Sequence, residues 1–188
     1  MPFLIHMGKV IHKYKYLCHL HSKKARHSQT LGKNWPIYLF NNLLGTTEII
    51  SQIIFEFESH DKLGFIFPQN YFEVLKSTMY VILKDKEKMK YLFSKFIPGY
   101  KFSNKYFDFP AGDMFWAKTK AIYQIFKIDL RHDIPNKKGT KKILYAIERF
   151  WLFIVKKMGI ITKNIIIIIN YNLNKIANNF TIFSKLYK

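Results

Sequence analysis

Two stretches of this chain carry residue types that can do chemistry. The first is Cys18-His19-Leu20-His21-Ser22-Lys23-Lys24-Ala25-Arg26-His27-Ser28. Its histidines, lysines, arginine and serines are the donors and cations that grip a diphosphate. The same residues also suit a solvated basic loop, and the spacing does not separate the two. A zinc site on His19 and His21 is a weaker reading, because no third ligand stands at recognisable spacing. The second stretch is Phe109-Pro110-Ala111-Gly112-Asp113-Met114-Phe115-Trp116-Ala117-Lys118. Asp113 follows a glycine in what reads as a tight turn, and a carboxylate held there can take a proton. The plainer reading of this stretch is a core strand with a turn before it.

Each stretch needs an element to position it. Tyr16 to His21 reads as a strand, so Ser22 to Ser28 falls at its carboxyl end, where open α/β sheets hold ligands. Pro110 cannot donate to a ladder and belongs at a strand's beginning. Gly112 admits a close neighbour. Met114, Phe115 and Trp116 are a buried strand. Thr119 is placed to cap an amphipathic segment from Ala121 to Phe126.

Elsewhere, Pro2 to Tyr14 has helical spacing. Trp35 to Leu44 is a helix stopped by Gly45. Thr46 or Thr47 caps a helix from Glu48 to Phe57. Lys62 to Pro68 is a strand, Tyr71 to Leu83 is ambiguous, and Asp85 to Phe96 is a helix facing inward through Met89, Leu92, Phe93 and Phe96. Pro98-Gly99 is a turn. Asp129 to Lys142 is a polar basic loop, Ile143 to Lys157 a long helix ended by Gly159, and Asn164 to Asn170 a last strand. Asn172 to Lys188 is a basic tail with partial helical character. Strands alternating with helices make the class α/β, with a mixed sheet flanked by helices.

The 188 residues suit one domain, and 49% hydrophobic content excludes a disordered chain. Lys and Arg number 31 against 12 Asp and Glu, a formal charge of +19. That balance calls for an anionic partner: nucleic acid, an anionic membrane surface or a phosphorylated substrate. No nucleic-acid motif accompanies it. Cys18 is the single cysteine, which fits a reducing cytosol. The N-terminus has no secretory pattern, and no apolar run reaches a spanning length of about 18 residues. There is no glycine-rich phosphate loop and no nucleophile set with a known local signature.

Several blocks together resemble the rhamnan synthesis protein F family of bacterial surface-polysaccharide glycosyltransferases. They are Cys18 to Lys24 with Trp35 and Leu39-Phe40-Asn41-Asn42-Leu43-Leu44-Gly45, then Leu63 to Pro68, Phe109 to Lys118, and Ala146-Ile147-Glu148-Arg149. The similarity runs from about Pro2 to Gly159. The resemblance implies a partial GT-A-like (Rossmann-like) transferase over residues 1–160, followed by a final strand and basic tail over 161–188. The donor it implies is a nucleoside-diphosphate sugar, with dTDP-rhamnose one candidate, and the acceptor a lipid-linked glycan at the cytoplasmic face of the inner membrane. His19, His21, Lys23, Lys24, Gly112, Trp116, Glu148 and Arg149 are then the expected substrate and diphosphate contacts. His21, Lys23 and Lys24 fall where many such enzymes carry an acidic metal motif, so side-chain cations take over part of a divalent metal's role.

Three departures from the family pattern stand out. The nucleotide-binding N-terminal half that members usually carry is expected to be missing, supplied by a separate polypeptide or lost in a non-catalytic remnant. The stretch Asn136 to Lys142 has no acid where the family tends to have one, and Tyr145 stands at a histidine position. Asp113 stands where the family often has a small neutral residue. Asp113 and Asp133 are the remaining candidates for the catalytic carboxylate. Glu148 and Arg149 also fit a structural ion pair on a helix.

Overall fold

The computed structural model describes residues 6–20, 29–71, 74, 86–101, 107–127, 137–167 and 182–187. The sheet is built on β2 (Leu63–Pro68), whose six residues are all buried. A continuous apolar run of that length belongs to a strand covered on both faces. Phe65 and Phe67 enter one cluster with Phe93, Phe115, Phe150 and Trp151. Leu63 and Ile66 enter another with Ile49, Ile53 and Phe57. A register shift between Leu63 and Phe65 accounts for Leu63 joining Ile66 rather than Phe65.

β3 (Phe115–Lys118) runs antiparallel to β2, with Ile66 opposite Trp116. β1 (Tyr16–His19) lies antiparallel on the other side of β3, with His19 opposite Phe115. β4 (Ile161–Ile167) pairs parallel with β2, and β5 (Ile182–Tyr187) antiparallel with β4. The order β1-β3-β2-β4-β5 is a mixed five-stranded sheet. The expected α/β class, a mixed sheet flanked by helices, is what the chain adopts.

Five described helices flank the sheet. α1 (Gln29–Leu44) and α2 (Thr47–Ser59) lie on the Ile66 face. α3 (Lys86–Phe96), the short α4 (Thr119–Ile122) and α5 (Lys137–Lys157) lie on the Phe65 face. α2 starts where the Thr46 hydroxyl accepts the Ile49 amide at 3.4 Å, as an N-cap does. Its buried residues Ile49, Ile53 and Phe57 are four apart and share one face. α5 ends with Gly159 at φ +67. The Gly159 amide reaches the Lys156 carbonyl at 2.9 Å and the Ile160 amide the Val155 carbonyl at 3.3 Å. Those two bonds close the helix as a Schellman motif, which explains the glycine.

Some boundaries differ from the sequence expectation. α1 begins at Gln29 rather than Trp35, with Pro36 inside the helix. Gly32 and Pro36 are helix breakers by type, so the first turns do not read as helical. α5 begins at Lys137, so the expected basic loop ends inside it. β4 begins at Ile161, and the described part of the tail forms β5. Thr119 is not the cap of α4: Lys118 holds that position with no side-chain cap bond. The Thr119 hydroxyl donates instead to the Tyr14 carbonyl. Of Pro2 to Tyr14, His6 and Met7 are helical and Ile11–Lys13 forms a 3-10 turn. Most of Tyr71 to Leu83, and Asp129 to Asn136, lie outside the described residues. Among the described residues no helix is long and apolar enough to cross a membrane.

One position shows how tightly the layers meet. A Cβ on Gly64 would stand 2.4 Å from the Ile160 Cγ2 and 2.8 Å from the Ala121 Cβ. Both atoms belong to buried or half-buried side chains that have little room to yield. Gly64→Ala is therefore expected to destabilise the fold by about 1–3 kcal/mol, read as a lower urea midpoint with an unchanged slope.

Candidate functional site

The antiparallel register places the carboxyl ends of β1 and β2 at the same end of the sheet as the start of β3. Ligands of α/β sheets bind outside the carboxyl ends of strands. The turn before β3 sits there. The Asp113 amide donates to the Pro110 carbonyl at 2.8 Å, closing the turn. Gly112 at φ +98 occupies the position that a type II turn reserves for glycine. Asp113 follows at φ +55, one of the few non-glycine types that tolerates the left-handed region.

Three neighbouring groups hold this turn. The Ala111 amide donates to Asn70 Oδ1 at 3.2 Å, from just beyond β2. The Gly112 amide donates to Glu148 Oε1 at 2.8 Å. Trp151 Nε1 donates to Asp113 Oδ1 at 2.8 Å. Glu148 and Trp151 are three residues apart on α5, so they reach the turn from one helix face. From below, α1 closes on the turn: a Cβ on Gly112 would lie 2.8 Å from the Leu39 Cδ1 and 3.2 Å from the Trp35 ring.

The second oxygen of Asp113, Oδ2, lies 3.9 Å from His19 Nδ1. His19 is buried at the end of β1, and the Asp113 side chain is 27% exposed. The His19 ring packs on Phe115, its cross-strand partner, with centroids 5.2 Å apart. Phe115 in turn lies 5.0 Å from the Trp151 ring. Asp113, Trp151, Phe115 and His19 thus close a ring of contacts around one carboxylate. A carboxylate with one oxygen fixed by an indole is of a type that can take a proton.

The expected site residues divide clearly. His19, Gly112, Asp113, Glu148 and Arg149 meet at this end of the sheet. Glu148 and Arg149 are 7% and 3% exposed. Glu148 pins the turn, while Arg149 donates to the Tyr145 carbonyl on its own helix and lies with its Cζ 5.3 Å over the Phe109 ring. Trp116 faces the other side of the sheet. Its indole N–H donates to the Leu43 carbonyl at 3.0 Å, serving one of the last carbonyls of α1. His21, Lys23, Lys24 and Asp133 lie outside the described residues.

Sequence reasoning did not single out Asn70 or give Trp151 a role. Trp151 carried a signal in its spacing of three from Glu148. Asn70 carried a weaker one, a polar residue two positions beyond an apolar strand. Among the described residues no group of three or more His, Cys, Asp or Glu is arranged to hold a metal ion. Buried charges at other sites have structural partners: Lys118 donates to the His60 and Asp61 carbonyls, and Lys163 pairs with Glu56 at 2.8 Å. Burial pulls the Lys118 ammonium below its ordinary range.

A mixed α/β sheet with an acid and a histidine held at the carboxyl ends of its strands defines the class: an α/β domain with a polar site in the usual place. Residues 1–160 match the family model for rhamnan synthesis protein F, and the chain belongs to that family. The match spans every residue of the turn and its supports. The family takes its name from the synthesis of a polysaccharide. No curated protein and no solved structure matches the chain.

Two outcomes are expected from this geometry. Glu148→Ala leaves the buried Gly112 amide without its acceptor, at a cost of about 1–3 kcal/mol. Glu148→Gln keeps an oxygen acceptor and is expected to lose clearly less, both read by urea denaturation. Burial pushes the Cys18 thiol from the ordinary 9.0 up to about 12. Folding therefore favours the protonated thiol, and that contribution is complete below pH 9 and lost as the pH rises toward 12. Alkylation by iodoacetamide at pH 8 is expected to be slow in the native chain and prompt in urea.

Proposed function

We propose that this chain acts in glycosyl transfer during bacterial surface-polysaccharide synthesis, moving a sugar from a nucleoside-diphosphate donor to a lipid-linked glycan. The observation that supports this reading best is Asp113, fixed by Trp151 on one oxygen and turned toward His19 with the other. Membership of the rhamnan synthesis protein F family points the same way.

In a single displacement, an acceptor hydroxyl attacks the anomeric carbon and the bond from that carbon to the diphosphate oxygen breaks. The hydroxyl proton needs a base and the departing diphosphate needs positive charge. Asp113 takes the proton, with His19 beside it to stabilise the pair. The Gly112 and Ala111 amides are already spent on Glu148 and Asn70, so the turn's task is to aim Asp113 rather than to bind phosphate. His21, Lys23 and Lys24, which follow β1 in the sequence, supply the cations for the diphosphate. dTDP-rhamnose is the first donor to try. The transfer takes place at the cytoplasmic face of the membrane, where the lipid-linked acceptor is presented.

The test is transfer of labelled rhamnose from dTDP-rhamnose to a lipid-linked acceptor in membranes. Asparagine tolerates the left-handed backbone at position 113 and keeps the oxygen that Trp151 binds. Asp113→Asn is therefore expected to fold normally and to lose roughly 10²–10⁴ of the rate. Unchanged transfer by this variant would remove Asp113 from the chemistry. Unchanged transfer by a His21→Ala, Lys23→Ala, Lys24→Ala triple variant would remove the basic segment from diphosphate binding. Failure of every nucleoside-diphosphate sugar to bind in a calorimetric titration would sink the transferase reading itself.

A further inference from the structure

The Pro110–Asp113 turn has two sides. Asp113 meets α5 through Trp151. On the other side lies α1, whose Trp35, Leu39 and Leu43 pack with Ala111 and Met114. The segment just beyond β2 joins that second side. The Tyr38 hydroxyl donates to the Gln69 carbonyl at 2.9 Å, and the Tyr38 and Tyr71 rings tilt against each other with centroids 5.1 Å apart. Asn70, between Gln69 and Tyr71 in the chain, is 7% exposed.

Only half of the Asn70 amide is in use. The Ala111 N–H can meet only an oxygen, so its 3.2 Å contact with Oδ1 fixes which way the amide is turned. Nδ2 is closed to solvent and has no hydrogen-bond partner among the described residues. A buried donor of that kind is rare in a native fold and calls for an acceptor. Neither Asn70 nor its neighbours Gln69, Tyr71 and Tyr38 carries a charge, so the acceptor to expect is an uncharged oxygen rather than a phosphate. Tyr38 donates to Gln69 and keeps its lone pairs, so it can also accept. A hydroxyl answers both groups, accepting from the amide and donating to the phenol, whereas a base carbonyl answers only the amide. Aromatic walls with a few placed polar groups are the usual make-up of a small-molecule site. A sugar offers both the hydroxyls and an apolar ring face.

We propose that the α1 side of the turn is a sugar subsite, with Asn70 Nδ2 as its hydrogen-bond donor and the Tyr38–Tyr71 pair as its wall. The choice of rhamnose as the sugar rests on the function proposed above; the unpartnered amide does not. Because Nδ2 is closed to solvent, a covering side chain has to move before a sugar reaches it. Tyr71 is half-buried, adjacent in the chain and outside any helix or strand, so it is the side chain that yields. The sugar of the donor and the sugar of the acceptor glycan present the same hydroxyls to this subsite.

The experiment is a titration of the full isotope-labelled chain, followed by the side-chain amide signal of Asn70 in two-dimensional NMR. The probes are methyl α-rhamnoside, dTDP-rhamnose and dTDP. The signal is expected to move with a rhamnose-bearing probe and to stay still with dTDP. A shift with dTDP-rhamnose assigns the sugar to the donor, and a shift with methyl α-rhamnoside alone assigns it to the acceptor glycan; either supports the subsite. A shift with dTDP overturns it, because the base would then hold the amide. No shift with any probe also overturns it and leaves Asn70 to an ordered water. Asn70→Asp keeps an oxygen for the Ala111 N–H and removes the donor. It is expected to bind the rhamnose probe about three- to tenfold more weakly, with the Ala111 and Gly112 backbone signals near their parent positions. Unchanged affinity in that variant overturns the proposal, and the parent titration decides it whether or not the variant folds. A shift with methyl α-rhamnoside in a chain that binds no nucleotide sugar keeps the subsite and discards the transferase. Binding of dTDP-rhamnose that moves the Asp113 backbone signal and leaves the Asn70 side chain still does the reverse.

Discussion

One hydrogen bond, from the Gly112 amide to the Glu148 carboxylate, joins the two halves on which the site depends. Glu148 is almost wholly buried, and a buried carboxylate without partners would cost several kcal/mol. A charged acceptor on a backbone N–H is among the stronger neutral-to-ion bonds, and it offsets that cost. The bond also fixes the depth at which α5 sits on the sheet. Trp151, one turn further along α5, then meets Asp113 without any further adjustment. If the helix slid by one residue, the Gly112 acceptor and the Asp113 donor would be lost together. Packing of Phe150, Ile154 and Val155 keeps it from sliding.

The turn and its supports also connect the two layers of helices. Gly112 has α1 on one side, through Leu39 and Trp35, and α5 on the other, through Glu148. Trp116, two residues into β3, crosses back to α1 through the Leu43 carbonyl. A strand of four residues, with the turn before it, is thereby anchored to two helices besides its sheet neighbours. That anchoring explains the size of its side chains. Phe115 and Trp116 point to opposite faces, as successive strand residues must, so each helix layer receives one large aromatic ring from β3.

Much of the frame was legible from residue types acting over short distances. Thr46 with its helical apolar spacing marked α2. The unbroken run Leu63 to Pro68 marked a fully covered strand. Pro110 and Gly112 marked a turn, and Gly159 marked a helix end. Features set by distant partners were not legible. Lys137 to Lys142 places positive charge at a helix N-terminus, against the helix dipole, so the start of α5 reads as loop. Gly32 and Pro36 hide the first turns of α1. The Thr119 hydroxyl is taken by Tyr14, more than a hundred residues away in sequence, and no local pattern shows that. In the site, His19, Gly112, Asp113, Glu148 and Arg149 were found by type and resemblance, but their division of labour was not. Glu148 holds a backbone amide, and Arg149 covers Phe109. Asn70 is visible only once β2 and β3 are neighbours.

The demands on position 113 can be separated, and together they leave little choice. The backbone lies in the left-handed region, which glycine, asparagine and aspartate enter most readily. The Trp151 indole requires an acceptor, which glycine lacks. Asparagine and aspartate satisfy both structural demands, and only aspartate can also take up a proton. Its carboxylate is partly open to solvent and lies beside a histidine, whereas Glu148, the other acid of the site, is buried and committed to an amide. The two carboxylates at this turn therefore differ in surroundings: Glu148 holds the Gly112 amide from α5, and Asp113 accepts the Trp151 indole and lies partly exposed beside His19.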